Sequence, residues 1–355
     1  VAQPSAPELN FWVDGVMPTP AEHAATLVEL TRASDDLKDR YGRGGAVEAL
    51  EEAFATLLGT ERAIYLPSGT MANQLAIRVL ANDAPTVLVQ ENSHVSRDEG
   101  DAAQTVHGKR LVLLAPRRPS FTADEMRSTL RRVRDAEGTE TRIGALSIES
   151  PVARAEGAIF PIDELRKVCA LARENDMGLH LDGARLFLAS EYSGVSLHDY
   201  AALFDTVYVS LYKYLRAPSG AILCGSEVVI ARVRELRKTH GGDMYQNWPY
   251  AAAALRFLPG FRDRFAEART RADALFGALT RSGRFTVDKT PNGSNIFRLR
   301  VEGDAERFRN RLREKAAVKI NRPDEDGSIR LHVNETQLAV PASRLREAFL
   351  GAADV

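Results

Sequence analysis

Cysteine is almost missing from the 355-residue sequence: only Cys169 and Cys224 occur. Neither has a second Cys or a His at metal-ligand spacing, so nothing points to a disulfide scaffold or a metal site, and both read as reduced core thiols. Such usage suits the cytoplasm. The chain opens on Val1 rather than Met, with Ala, Pro and Ser following, so a removed export leader stays open. Long apolar runs are also missing. None approaches the roughly 18 residues that cross a bilayer. Charge of one sign is not in excess either: 47 Lys and Arg against 48 Asp and Glu leave a formal net charge of -1. That balance gives no general attraction to nucleic acid or to an anionic membrane. The expected partners are small molecules or further copies of the chain.

What is present is an alternation of short apolar runs with longer segments of helical spacing, the α/β pattern. Runs at 63–66, 86–89, 145–148, 178–181, 206–209 and 221–224 read as buried strands. Most are too uniformly apolar for half-exposed strands, which favours a mostly parallel sheet covered on both faces. Helices are expected over 46–58, 72–80, 123–136, 162–174 and 228–238. After an apolar segment at 251–255, a charged helix over 261–279 leads to a second unit. That unit has strands at 295–299 and 329–333 and helices at 305–315 and 342–350, a small α+β order. The expected division is an N-terminal arm with one helix (1–40), a large unit (41–255) and a small C-terminal α+β unit (256–355).

Four segments at strand ends carry chemistry. Ser210-Leu211-Tyr212-Lys213 closes one buried strand, and a partly buried lysine there has a lowered pKa and can attack an aldehyde near neutral pH. His180-Leu181-Asp182-Gly183-Ala184-Arg185 places an acid after another strand, where a carboxylate can bind a pyridinium nitrogen or cap a helix. Ser68-Gly69-Thr70-Met71-Ala72-Asn73 is a small-residue turn into a helix, an ordinary turn or an anion cradle made by amide groups and a helix dipole. His94, in Glu91-Asn92-Ser93-His94, can stack on a flat ring or relay a proton. Each is common alone. An anion cradle, a ring stacker, a ring-nitrogen acid and an amine, all at strand carboxyl ends, form a set that other folds have little reason to require.

At these residues the sequence resembles the threonine aldolase and β-eliminating lyase family of pyridoxal 5′-phosphate (PLP) enzymes, from about Tyr41 to Leu255. The resemblance implies the aspartate-aminotransferase-like fold, PLP fold type I. It implies that Ser68, Gly69 and Thr70 bind the phosphate, that His94 stacks on the ring and that Asp182 pairs with the pyridine nitrogen. It further implies that Arg185 holds phosphate or substrate carboxylate, and that Ser210 and Lys213 form the Ser-x-x-Lys segment, with Lys213 bound to the cofactor as a Schiff base. Arg330, in Ile329-Arg330-Leu331-His332, is the best match to the family Arg that grips the substrate carboxylate. By resemblance a homodimer or homotetramer is expected.

Departures from the family pattern bear on the substrate. The family segment resembling Glu-Asn-Thr-His is Glu149-Ser150-Pro151-Val152 here, so Val152 stands at the histidine that is a candidate for handling the β-hydroxyl proton. The Tyr-Gly-x-Asp-Pro segment is replaced by Tyr41-Gly42-Arg43-Gly44-Gly45, Tyr245 stands where a basic residue is common, and Val13 or Asp14 lies nearest the N-terminal Ser that touches substrate. The first expectation is therefore a lyase that cleaves a β-hydroxy amino acid to glycine and an aldehyde, with His94 and Glu99 nearby for proton handling. Two others stand beside it: β-elimination, racemisation or transamination of another amino acid, and a PLP-fold binding protein without turnover.

Overall fold

Buried strands must hand every backbone N–H and C=O to a neighbour, and the apolar runs of this sequence do so in one broad sheet. A computed structural model of the chain describes residues 9–136 and 142–353; the Val1 start and the first eight residues of the expected arm lie outside the described residues. Twelve strands are seen among the described residues: β1 (Leu9–Asn10), β2 (Arg62–Leu66), β3 (Thr86–Gln90), β4 (Arg110–Leu114), β5 (Ile143–Glu149), β6 (Gly178–Asp182), β7 (Thr206–Ser210), β8 (Ala221–Gly225), β9 (Phe285–Asp288), β10 (Ile296–Val301), β11 (Val318–Lys319) and β12 (Ile329–His332). Seven of them form a sheet in the order β2-β8-β7-β6-β5-β3-β4. Only β8 runs against the others, pairing antiparallel with β2 and β7.

All six expected large-unit strands are present, each longer by one to three residues. The seventh, β4, was not expected. It is an edge strand with a partly exposed pattern, and an edge needs less apolar character than the centre of a sheet.

The helices follow from their end signals. In the arm, α1 (Pro20–Ala33) starts at a capping box in which Thr19 and Glu22 satisfy each other's backbone N–H. The next helix, α2 (Gly45–Leu58), closes on Gly59 in the left-handed conformation. Helix α3 (Gly69–Ala81) is capped by the Ser68 hydroxyl, which accepts from Met71 N–H. It crosses beneath the sheet: Ala72, Leu75 and Ala76 pack against Ile64, Leu66, Tyr208 and Leu223, and Ile77 and Ala81 pack against Val87, Val89 and Ala145. Its first turn thereby faces the carboxyl ends of the central strands.

A second hydrophobic core surrounds the antiparallel sheet β12-β10-β9 and the parallel pair β1-β11. The long helix Phe261–Arg281 joins both cores, with Phe261 and Phe265 in the first and Ala268 to Leu279 in the second. The arm is not a free extension. Strand β1 pairs with β11, and Leu9 and Phe11 are buried in the second core, Phe11 edge-on to Phe349 with ring centroids 5.4 Å apart.

Candidate active site

Five chain segments reach the carboxyl edge of the sheet and enclose a cavity of about 200 Å³. Its lining includes Ser68, Gly69, Thr70, His94, Asp182 and Lys213. The four segments singled out in the sequence therefore converge, each carried by a different strand end. The physical cause is the parallel topology, which points the exits of β2, β3, β6 and β7 the same way.

The turn after β2 enters α3 through Ser68, Gly69 and Thr70, all of which line the cavity, and the first N–H groups of a helix lack intrahelical acceptors. Gly69 is required there by close approach: a Cβ would lie 2.1 Å from the Tyr208 hydroxyl. The Ser68 hydroxyl accepts the cap bond, and its own proton stays available to an anion.

Lys213 sits in the loop between β7 and β8. Burial, reinforced by the Arg185 charge, pushes its amine down to about 8, against the pull of Asp182, Asp14 and Glu149. Asp182, the last residue of β6, is buried; its Oδ1 accepts Ala184 N–H at 3.1 Å and its Oδ2 accepts the Asn73 amide at 2.8 Å. That same amide donates to Glu99 Oε1 at 2.7 Å, and Asn73 Oδ1 accepts His180 Nε2 at 2.9 Å. His180 is wholly buried, which drops its pKa to about 4, so the ring is neutral and its Nδ1 accepts the Thr206 hydroxyl at 2.8 Å. The tautomer thus follows from the partners. A buried chain of bonds from Thr206 through His180 and Asn73 fixes Asp182.

His94 opens the short helix α4 (His94–Arg97) after β3. Its backbone N–H donates to Glu149 Oε2 at 2.7 Å, and its Nδ1 lies 2.9 Å from Glu99 Oε1. The bond to Glu99 raises the imidazole pKa, burial opposing it and Asp182 assisting. Burial likewise raises Glu99. His94, Glu99 and Asp182 approach one another closely enough to hold an ion, but the Asn73 amide already bridges the two carboxylates, so the set is a hydrogen-bond network.

Other expected site residues are placed differently. Ser210 is buried at the end of β7, outside the cavity lining. Arg185 follows the β6 turn, and its Nε donates to Asp14 Oδ2 at 2.7 Å. Arg330 lies on β12, outside that lining, half exposed and paired with Asp324 at 3.2 Å.

Sequence reasoning passed over Glu149, Tyr208, Tyr212 and Asp98, all of which line the cavity. Burial, with Asp182 nearby, pushes Glu149 up to about 7, and its oxygens accept the backbone N–H groups of His94 and Ala153. As the last residue of β5 it carried the same signal as Asp182, a carboxylate at a strand's carboxyl end. Val152, which the resemblance sets at the family histidine position, is fully buried and its backbone pairs with Ala158.

The donor set suits PLP. Helix-terminal amides and hydroxyls would suit a phosphate, a fixed carboxylate would suit a ring nitrogen, and an amine with a lowered pKa would suit an aldehyde.

Comparison with known proteins agrees with this geometry. The family model for the β-eliminating lyases matches residues 18–301. The aldolase vrtJ of Penicillium aethiopicum is 32% identical over 84% of this chain and 76% of its own. Low-specificity L-threonine aldolase 1 of Arabidopsis thaliana is 29% identical over 79% of this chain and 80% of its own, and alanine racemase TOXG of Cochliobolus carbonum is 31% identical over 72% and 64%. A solved structure from Exiguobacterium sp. 255-15, described as an aromatic amino acid β-eliminating lyase/threonine aldolase, superposes with a TM-score of 0.81 at 26% identity, covering 98% of both chains. With its fold, its cavity and these matches in agreement, the chain belongs to the β-eliminating lyase family of PLP-dependent enzymes.

Proposed function

We propose that this enzyme binds PLP at Lys213 and cleaves the Cα–Cβ bond of a β-hydroxy amino acid, releasing glycine and an aldehyde. The observation that carries the reading is the convergence, in one small cavity, of the Lys213 amine with the Asp182 carboxylate and the opening turn of α3. When bound, PLP supplies an electron sink for the pair left on Cα.

Every other task falls to the chain. Ser68, Gly69 and Thr70 would hold the phosphate, Asp182 would keep the ring nitrogen protonated, and Arg185 would bind the substrate carboxylate. Arg330 would join Arg185 only by giving up Asp324. His94, pinned through Glu99, would lie against the ring. The β-hydroxyl must lose a proton as the bond breaks, and Cα must gain one to give glycine. His94, Glu99 and Glu149 are the groups near the cavity with pKa values raised toward that work.

The burial of Val152 favours a second reading, in which a different bond at Cα is broken and the outcome is β-elimination, racemisation or transamination. Product analysis separates the two. Glycine and an aldehyde from threonine or phenylserine support the first, whereas a keto acid or a racemised substrate supports the second. For the cofactor itself, borohydride reduction of the wild type with PLP should give a permanent adduct, and Lys213→Ala should give none. An adduct of equal yield in Lys213→Ala would sink the assignment.

We also propose a homodimer or homotetramer as the working form. Helix α1 buries none of its residues, and Tyr41 and Tyr245 are exposed and packed edge-on against each other. Sedimentation velocity tests it; a lone monomer at assay concentration would reject it.

A further inference from the structure

Asp14 comes from the segment just after β1, and its side chain is 7% exposed. Oδ2 accepts Arg185 Nε at 2.7 Å, and Oδ1 accepts both Asn295 Nδ2 and His332 Nδ1 at 3.1 Å. The carboxylate thus gathers donors from the turn after β6, from the lead into β10 and from β12. Burial alone would raise its pKa, but the Arg185 charge and the bonds from His332 and Arg185 outweigh that and hold the group ionised. The segment also presses on the cofactor lysine: a Cβ at Gly15 would lie 2.5 Å from the Lys213 carbonyl oxygen and 2.7 Å from Tyr214 Cα. Arg185 itself is 16% exposed and lies near enough to depress the Lys213 amine.

A guanidinium can bind carboxylate along either of two edges, and a long side chain left loose samples both. With Nε taken by Asp14, the Nη edge is the one left for a second carboxylate. We propose that Asp14, itself steadied by His332 and Asn295, is a positioning residue that fixes Arg185 so that its Nη edge receives the substrate α-carboxylate. The N-terminal segment then takes part in selecting carboxylate-bearing amines. This inference rests on the PLP reading given above.

The test uses the full chain loaded with PLP and two probes, glycine and methylamine, titrated by the visible absorbance of the lysine-bound cofactor. Both amines can exchange with Lys213, but only glycine carries a carboxylate. Asp14→Asn should weaken glycine by about tenfold or more, as expected for a misplaced charge-assisted pair, and leave methylamine within about twofold. Asp14→Glu should recover part of the loss. Arg185→Lys, which keeps charge but not the edge, should repeat the selective loss and keeps the question answerable if Asp14→Asn fails to fold. In the apoprotein, the melting-temperature losses of Asp14→Asn and Arg185→Lys should add to less than their sum in the double variant. Unchanged or tighter glycine binding, an equal weakening of both probes, or fully additive melting losses would each overturn the proposal. A wild type that forms no absorbance band with PLP overturns the cofactor reading together with this one; a normal band with indifferent variants overturns this one alone.

Discussion

Lys213 faces two opposed demands. The proposed role requires it neutral, to attack an aldehyde, yet it sits among the carboxylates of Asp182, Asp14 and Glu149, which favour its charge. Burial and Arg185 decide the balance and bring the amine down to about 8. Since only the neutral amine attacks, the rate at which apoprotein takes up PLP should climb with pH and level off above about 8. Stopped-flow absorbance measures this, and a plateau reached only near the ordinary lysine range would refute the burial argument. The same depressed pKa makes unfolded apoprotein bind more protons than native between about 8 and the ordinary lysine value, so this group adds stability as pH rises through that window. Asn73 is the second residue on which the site turns. Asn73→Ala strips two buried carboxylates of a shared donor and His180 of its acceptor, at a cost of about 3 kcal/mol. Urea unfolding checks it; a loss too small to resolve would mean that water replaces the amide.

Among the elements, α3 does most to make the site, because its cap, its close packing and its cavity-facing turn are the same few residues. Ser68→Ala removes a helix cap worth about 1 kcal/mol and a hydroxyl donor together. Its signature is a modest fall in stability with a larger fall in PLP affinity, read by equilibrium dialysis. Gly69→Ala is harsher, since Tyr208 must move to admit the new methyl, and PLP affinity should drop by about tenfold or more. Retained affinity would show that Tyr208 yields freely. The start of α3 was legible in the sequence three residues late, because Gly and Thr score poorly as helix formers and the Ser68 cap outweighs that propensity. Edge strand β4 and the short β1 and β11 carried too little periodicity to be read.

For the whole molecule the arm is the part whose position matters most. Phe11 is fully buried in the second core, three residues before Asp14. Phe11→Ala should cost about 3–5 kcal/mol of stability and, by loosening Asp14, raise the KM for an amino-acid substrate more than it lowers kcat. Denaturant titration and steady-state kinetics check both halves, and an unchanged KM would detach the arm from the site. What the sequence determined unaided were the α/β order and the strand exits that carry Ser68, His94, Asp182 and Lys213 to one cavity, because buried parallel strands and capped helices write local periodic signals. Tertiary structure alone decided the rest. It placed Glu149 beside His94, brought Asp14 across more than 170 residues to Arg185, and left Arg330 with Asp324, because such partners are chosen by packing between distant segments, for which sequence spacing has no term.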